Sequence, residues 1–431
     1  MDKQYPKTLL ITSSNFNLYS GTGILLKNLF RNWPKERLAL IYYDSYNPRF
    51  NDKNICLHYY GLGTEGKRFI WPLSILGKKH HKKQTKSIQF TATGNRQLYN
   101  FLINILGGEE IIKRYTISPK IIQWIEHFKP EIIYCHISSL NHINFVKKIH
   151  SIFDIPVAIH IMDDWFNVRY KKGLFSPILR YLFFKEFKQL LSITSLRMGI
   201  GQKMCDHYEK EFNYYFVPFS NPVETNNWSR YKGKKTYNES FQIVYAGTIN
   251  SKNLNGLKIF GEIVEELNSQ GKIIKFRIYT FQPRLEYYRS TYEKPSSVIM
   301  GEVPDNDDDM AYILGTADLL YLPVDFTKSS IERMRYSIFA KIPAYMASGT
   351  PILFFGPLEI TSVEYANKEK WAYVVDKNDR DTLKKGLIEL MSNSNLRDML
   401  SNNAYRIARR DFEARNVRES FRKALLKASD L

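Results

Sequence analysis

Two groups of side chains in this sequence have the types and spacing to do chemistry. The first lies in YSIFAKIPAYMASGTPILFFGP, residues 336–357, where Lys341 stands two residues before Pro343. Proline has no N–H and is tolerated only in the first turn of a helix, so the spacing predicts a helix starting near Phe339 or Ala340. Gly349 and Pro351 end it, and Ile352–Phe355 then reads as a strand buried on both faces. A cation beside the free N–H groups of a first helical turn makes a place for a phosphate or diphosphate. Taken alone, one lysine at a helix start equally describes an ordinary solvated surface residue. The second group is IPVAIHIMDDW, residues 155–165, in which a strand runs straight into polar residues. His160, Asp163 and Asp164 would then gather at the carboxyl end of a strand, where open α/β sheets hold their ligands. A core histidine with two helix-capping acids would read the same way.

The elements around these groups alternate strand and helix. Thr8–Ser13 is a strand, followed by a loop holding Gly21, Thr22 and Gly23 and then a helix. Two glycines at a helix start admit close approach by a ligand, or simply tight strand-to-helix packing. The loop lacks the third glycine of a dinucleotide fingerprint, which argues against a nicotinamide or flavin site. Strands are expected at Arg37–Asp44 and Ile55–Tyr60, a helix at Pro119–Lys129, and a strand from Pro130 that ends in His136. Residues 84–118 carry no readable pattern. Pro177–Leu191 is helical, with a broad apolar face interleaved with Arg180, Lys185 and Lys188, which suits a membrane interface or a position between layers. After Asn221-Pro222-Val223, residues 224–240 are polar without apolar periodicity, as in a linker. Phe241–Ile249 restarts the strand, glycine and helix order, which continues to a long basic carboxyl-terminal helix. The pattern is α/β with parallel sheets in two halves.

Composition agrees with two cores, since 431 residues at 44% apolar content are ample for two domains. Cys56, Cys135 and Cys205 lie far apart and fit neither a disulfide framework nor a zinc site, which suits a reducing, cytoplasmic setting. No metal-ligand cluster is visible, and His80-His81 within the basic run Lys78–Lys83 point apart. The longest apolar runs are too short for a signal peptide or a membrane span. The formal charge of +19 implies an anionic partner: a phosphorylated substrate, an anionic membrane face or nucleic acid. Nucleic acid is the weakest of the three, because no recognition motif or aromatic-interleaved basic stripe is present.

Ser337, Lys341, Pro343, Tyr345, Ala347, Gly349, Pro351 and Ile352 resemble the S-F-P-x-K-x-P-E-Y-L-A-x-G-x-P-V motif of retaining, sugar-nucleotide-dependent glycosyltransferases of the GT-B fold, family 4 and its relatives. His160 to Trp165 is similar to that family's H-D-x-W element, and Asn221-Pro222-Val223 to the segment before its interdomain linker. The resemblance implies two Rossmann-like domains in a GT-B arrangement: 1–219 on the acceptor side, a linker at 220–240, and 241–405 binding the nucleotide sugar. It also implies a last helix, 406–431, that returns to the first domain. The donor diphosphate would be met by Lys341, Lys252, Gly21, Thr22, Gly23, Gly247 and Thr248, and the nucleotide base side by Gly301 and Val303. His160 would contact the transferred sugar, with Asp163 and Asp164 beside it, and no metal or other cofactor would be needed. The glutamate that holds the donor ribose in that family is Ala344 here, and the second acid of its E-x7-E pattern is Tyr336. The implied activity is sugar transfer, with retention, to a saccharide or lipid-linked acceptor in bacterial surface polysaccharide assembly, in the cytoplasm or at the inner face of the plasma membrane. A sugar-nucleotide epimerase of the same architecture, or a non-catalytic sugar- or nucleic-acid-binding protein, is the competing expectation.

Overall fold

The computed structural model describes residues 4–17, 20–43, 52–62, 66–69, 101–234, 239–282, 284–294 and 296–430, so the basic run Lys78–Lys83 lies outside the described residues. The chain forms two units, one of residues 1–16, 32–218 and 422–431, the other of residues 17–31 and 219–421.

Short apolar runs between polar turns make strands buried on both faces, as sheets covered by helices require. The first unit carries β1 (Thr8–Thr12), β2 (Leu38–Tyr42), β3 (His58–Gly61), β4 (Lys67–Phe69), β5 (Lys113–Tyr115), β6 (Ile132–His136), β7 (Val157–Ile161), β8 (Thr194–Gly199) and β9 (Val217–Pro218). Seven of these form one parallel sheet in the order β3-β2-β1-β6-β7-β8-β9, and β4 pairs antiparallel with β5. The second unit carries β10 (Phe241–Ala246), β11 (Ile274–Thr280), β12 (Val298–Glu302), β13 (Leu319–Pro323), β14 (Ile352–Phe355) and β15 (Tyr373–Val375). They form a parallel sheet ordered β12-β11-β10-β13-β14-β15. In each sheet the strand order reverses beside the first strand, between β1 and β6 and between β10 and β13. Such reversals open crevices at the carboxyl ends of strands.

Three local expectations change. The strand expected at Ile55–Tyr60 starts at His58, where pairing with Ala39 of β2 begins; Ile55 and Cys56 are buried in the preceding turn instead. The polar stretch after Val223 contains a short helix, Thr225–Ser229, anchored by the buried Thr225, whose hydroxyl donates to Glu413. The long carboxyl-terminal helix is two, Ser394–Asp411 and Ala414–Ser429. Val223 causes the break: its N–H donates to Phe412 O at 2.8 Å and its carbonyl accepts from Ala414 N–H at 2.9 Å. That backbone is committed to a bridge and cannot continue the helical ladder.

Candidate functional site

In the second unit, β13 pairs with β10 only at Ile243 and Val244, so the end of β10 lacks a strand partner on that side. Tyr345 supplies one. Its hydroxyl accepts from Ala246 N–H at 2.7 Å and donates to Ala246 O at 3.2 Å. The next residue, Gly247, has φ +145°, and a Cβ there would lie 2.2 Å from Lys341 Nζ. Only glycine allows both that backbone and that approach. The Lys341 ammonium sits 4.1 Å from the centroid of the Tyr245 ring, a cation–π contact, and makes no ion pair among the described residues. Burial without a counter-charge lowers its pKa to about 7.

The loop after Gly247 is pinned from beneath. Tyr245 Oη donates to Thr248 O at 2.9 Å and accepts from Asn253 Nδ2 at 2.7 Å, and Asn253 Nδ2 also reaches Thr248 O at 3.0 Å. Arg284 Nη1 donates to Ile249 O at 2.8 Å, bringing a second cation to the loop. Lys252 is half-buried on the same loop, where its N–H donates to Asn250 Oδ1 at 2.9 Å.

The helix that presents Lys341 starts later than expected, at Ile342, and has six residues, Ile342–Ala347. Pro343 occupies its first turn, so the segment Phe339–Lys341 is a turn in which Ile342 N–H already donates to Phe339 O at 2.9 Å. Anion attraction here therefore rests on the ammonium more than on a short helix with few free donors.

Gly21, Thr22 and Gly23 belong to this unit and open the helix Gly21–Leu29, capped by Ser20, whose Oγ accepts from Gly23 N at 3.0 Å. Gly23 is required by packing, since a Cβ there would meet the Asn17 side chain at 2.4 Å. Gly21 is exposed, and the nearest atom to a Cβ added there would be Ala340 Cβ at 3.7 Å, next to Lys341. A hydrogen-bonded chain fixes this juxtaposition: Asn28 Nδ2 donates to Asn221 Oδ1 at 3.0 Å, and Asn221 Nδ2 donates to Ala340 O at 2.7 Å. Gly301 and Val303 lie apart from the Lys341 group, on and just after β12, two strands from β10. Gly301 accommodates Tyr279, whose ring carbons would be 3.1 Å from an added Cβ. Ala344 and Tyr336 provide no carboxylate near this group.

In the first unit, polar side chains collect where β1 and β6 diverge. His136 and His160 face each other across the β6–β7 pair. His160 is fully buried, with Nδ1 2.7 Å from Tyr134 Oη. His136 is buried too, with Nδ1 3.4 Å from Ser13 Oγ, but its Nε2 has no partner. Burial lowers the His136 pKa to about 4, against a smaller opposing pull from the Asp163 carboxylate. Asp163 is half-buried. Asp164 is buried and structural in its contacts, accepting from Tyr208 Oη at 3.0 Å and Asn167 Nδ2 at 2.9 Å.

His142, buried in the helix Leu140–Phe153, stacks on Tyr43 at 4.0 Å between ring centroids and bonds Ser138 Oγ at 2.8 Å through Nδ1. Burial holds its pKa well below the ordinary value, with His136, Arg169 and Lys113 adding to the shift. Tyr43 Oη, Trp165 Nε1 and Arg169 Nε are likewise buried atoms without partners, and the Arg169 guanidinium lies 4.8 Å from the Trp165 ring centroid. Buried polar atoms are normally paired, so these orphans leave hydrogen-bonding capacity that water or a polar ligand could fill. Sequence reading reached His160, Asp163 and Asp164 but missed Tyr43, His142 and Arg169, which come from three separate elements with no shared motif. His136 was legible as a histidine closing a strand. Among the described residues, no three His, Cys, Asp or Glu side chains converge as metal ligands. No described helix is long and apolar enough to cross a membrane.

No family model matches the chain, and no curated protein sequence matches it. Solved structures do. A sucrose-phosphate synthase from Thermosynechococcus elongatus superposes with TM-score 0.61 at 10% identity, covering 97% of this chain and 98% of that one. HepE from Anabaena, in complex with UDP and glucose, gives 0.60 at 10% identity over 98% and 99%. A glycosyltransferase from Rickettsia africae gives 0.57 at 10% identity over 98% of each chain. At such identity the likeness concerns the fold, which is the α/β fold of GT-B proteins with two Rossmann-like domains.

Proposed function

We propose that the chain transfers a sugar from a nucleotide diphosphate sugar to a saccharide or lipid-linked acceptor, retaining the anomeric configuration, in assembly of a surface polysaccharide. The observation that carries this reading is the Lys341 ammonium, held against the Tyr245 face beside Gly247 with no acid paired to it among the described residues. A cation desolvated in that way favours an anion that brings its own charge, and the reversal of strand order beside β10 is where α/β sheets bind such ligands. Complexes of the fold-related HepE hold UDP, glucose and UDP-glucose, which supports a nucleotide sugar as donor.

In this reading the diphosphate lies over Gly247 and Thr248 with Lys341 on its oxygens, while Arg284 and Lys252 add positive potential along the loop and Gly21 to Gly23 flank the approach. Departure of the diphosphate develops negative charge on its oxygens and positive charge at the anomeric carbon. Lys341 stabilises the former, and leaving-group oxygen takes the acceptor hydroxyl proton, so the acceptor attacks on the face the diphosphate leaves. In the first unit, His136 and Asp163 offer polar contacts to sugar hydroxyls, and His160, its ring fixed by Tyr134, supports the same layer. His136 is neutral at physiological pH, so it orients hydroxyls by hydrogen bonding. Binding of a panel of UDP-, GDP-, ADP- and dTDP-sugars to the parent chain and to Lys341→Ala tests the proposal. One base class should bind the parent, with affinity about 10- to 150-fold weaker in the variant, the equivalent of about 1.5 to 3 kcal/mol for a charge-assisted hydrogen bond. Equal affinity in both chains would remove Lys341 from the site.

A further inference from the structure

The helix Ser176–Ser192 carries two apolar faces. Leu179, Phe183, Phe187 and Leu190 are buried, and Phe183 and Phe187 pack on Phe166. On another side, Leu174, Ile178 and Tyr181 follow one another at helical spacing and are 71%, 58% and 66% exposed. The same stripe runs on through Lys185 and Lys188, with Lys171, Lys172 and Arg180 beside it, all exposed. Glu186, the one acid in this helix, is already paired with Lys147 at 2.5 Å, so it does not offset the stripe's positive charge.

A second segment widens the apolar face. Residues 101–106 are helical, and Ile105 O accepts from Leu174 N–H at 2.7 Å while Leu106 O accepts from Phe175 N–H at 3.0 Å. Gly173, at φ +112°, makes the contact feasible, because a Cβ there would lie 2.3 Å from Gly107 Cα. This segment adds Phe101 and Ile105, four residues apart and 60% and 47% exposed. Five large apolar side chains thus form one outward patch bordered by lysines and arginine, on a chain of net charge +19. Isolated exposed apolar residues are ordinary, but a joined patch with a one-signed rim is a docking surface.

We propose that this face docks the chain on an anionic lipid bilayer. Leu174, Ile178, Tyr181, Phe101 and Ile105 enter the boundary between headgroups and acyl chains, and the flanking lysines and Arg180 reach lipid phosphates. The charge of the rim selects the bilayer over a neutral protein surface. The proposal is independent of the transfer reaction and can be tested without substrate.

Because Cys56, Cys135 and Cys205 are all buried, an environment-sensitive fluorophore can be attached selectively at Ile178→Cys, and at Ile152→Cys as a reference exposed position in the first unit. With vesicles of phosphatidylglycerol and phosphatidylcholine, emission from the label at 178 should shift to the blue while the label at 152 stays unchanged. In vesicle co-sedimentation, Ile178→Ser/Tyr181→Ser should lower partitioning at least tenfold with an unaltered circular dichroism spectrum. Pure phosphatidylcholine vesicles should bind the parent at least tenfold less. An unmoved label at 178, or binding indifferent to the double substitution, overturns the proposal. So does self-association without vesicles that the double substitution abolishes, which would give the face to a second copy of the chain.

Discussion

Lys341 is a base whose pKa lies near 7 in the folded chain, well below the ordinary lysine value, because burial penalises its charge. Between about pH 7 and the unfolded value the unfolded chain binds more protons, so this residue's contribution to stability improves as pH rises and is worst below pH 7. Lys341→Met should therefore raise the denaturation midpoint at pH 6 more than at pH 10, which denaturant titrations at the two pH values would show. Donor binding runs the other way. A diphosphate favours the ammonium, so binding at pH 8 should take up close to one proton in the parent and none in Lys341→Met. Calorimetric titration in buffers of different ionisation enthalpy measures that uptake. At the first-unit cluster, His136→Asn is expected to lower turnover about 100-fold with nucleotide affinity within about twofold, a loss typical of one well-placed polar contact. His160→Ala should lower turnover to a similar degree but also remove the buried Tyr134 Oη–His160 hydrogen bond, costing about 1–3 kcal/mol of stability that His136→Asn spares. Turnover, nucleotide titration and denaturation together separate the two histidines. Lys341 was legible in the sequence because Pro343 limits where the helix can start. The unpaired nitrogen of His136 was not, because pairing depends on which side chains the sheet brings alongside.

At the scale of elements, Tyr345 does what a longer β13 would otherwise do. Its hydroxyl serves both backbone groups of Ala246, at the point where strand pairing ends. Tyr345→Phe would leave that buried N–H and carbonyl unsatisfied, with an expected cost of about 1–3 kcal/mol. Donor affinity should fall with it, since Gly247 follows directly, and Tyr345→Phe at saturating donor should recover most of the parent's turnover. Steady-state kinetics and chemical denaturation of the one variant check both outcomes. The alternation of strand and helix could be read along most of the described chain because parallel strands buried on both faces leave continuous apolar runs. The clamp could not be read, since it depends on β13 leaving β10 after Val244, a register that no local pattern records. The break at Phe412 and Glu413 was hidden for the same reason: the helical pattern continues through it, and only Val223, far away in sequence, interrupts the ladder. In the helix Ser176–Ser192, periodicity showed apolar and basic residues but not which apolar face meets a neighbour.

For the molecule as a whole, two similar sheets lead to expectations that single residues do not. The described residues bring no carboxylate cluster to the Lys341 group, and turnover is expected to stay within about twofold after chelation with EDTA. Loss of turnover that Mg²⁺ or Mn²⁺ restores would reject a diphosphate neutralised by protein cations without a metal. The product's anomeric proton, read by NMR, should keep the donor configuration; an inverted product would make Asp163 a general base. The two-sheet plan was legible because each half repeats the order strand, glycine, helix, whereas the membership of residues 17–31 in the second unit had no local sign. That membership has a consequence for how the chain is born. The helix Gly21–Leu29 makes its contacts with Asn221, through Asn28, and with Arg418, whose Nε donates to Asn28 O at 2.7 Å across 390 residues of sequence. At roughly 5–20 residues per second of synthesis, the helix waits about 20–80 s for that last partner to leave the ribosome. For that time Leu25, Leu26 and Phe30, buried in the finished protein, have no completed surface to join. A nascent chain of this protein is thus expected to need holding factors around residues 21–30, and a fragment spanning only 219–421 would be born without the piece that closes it.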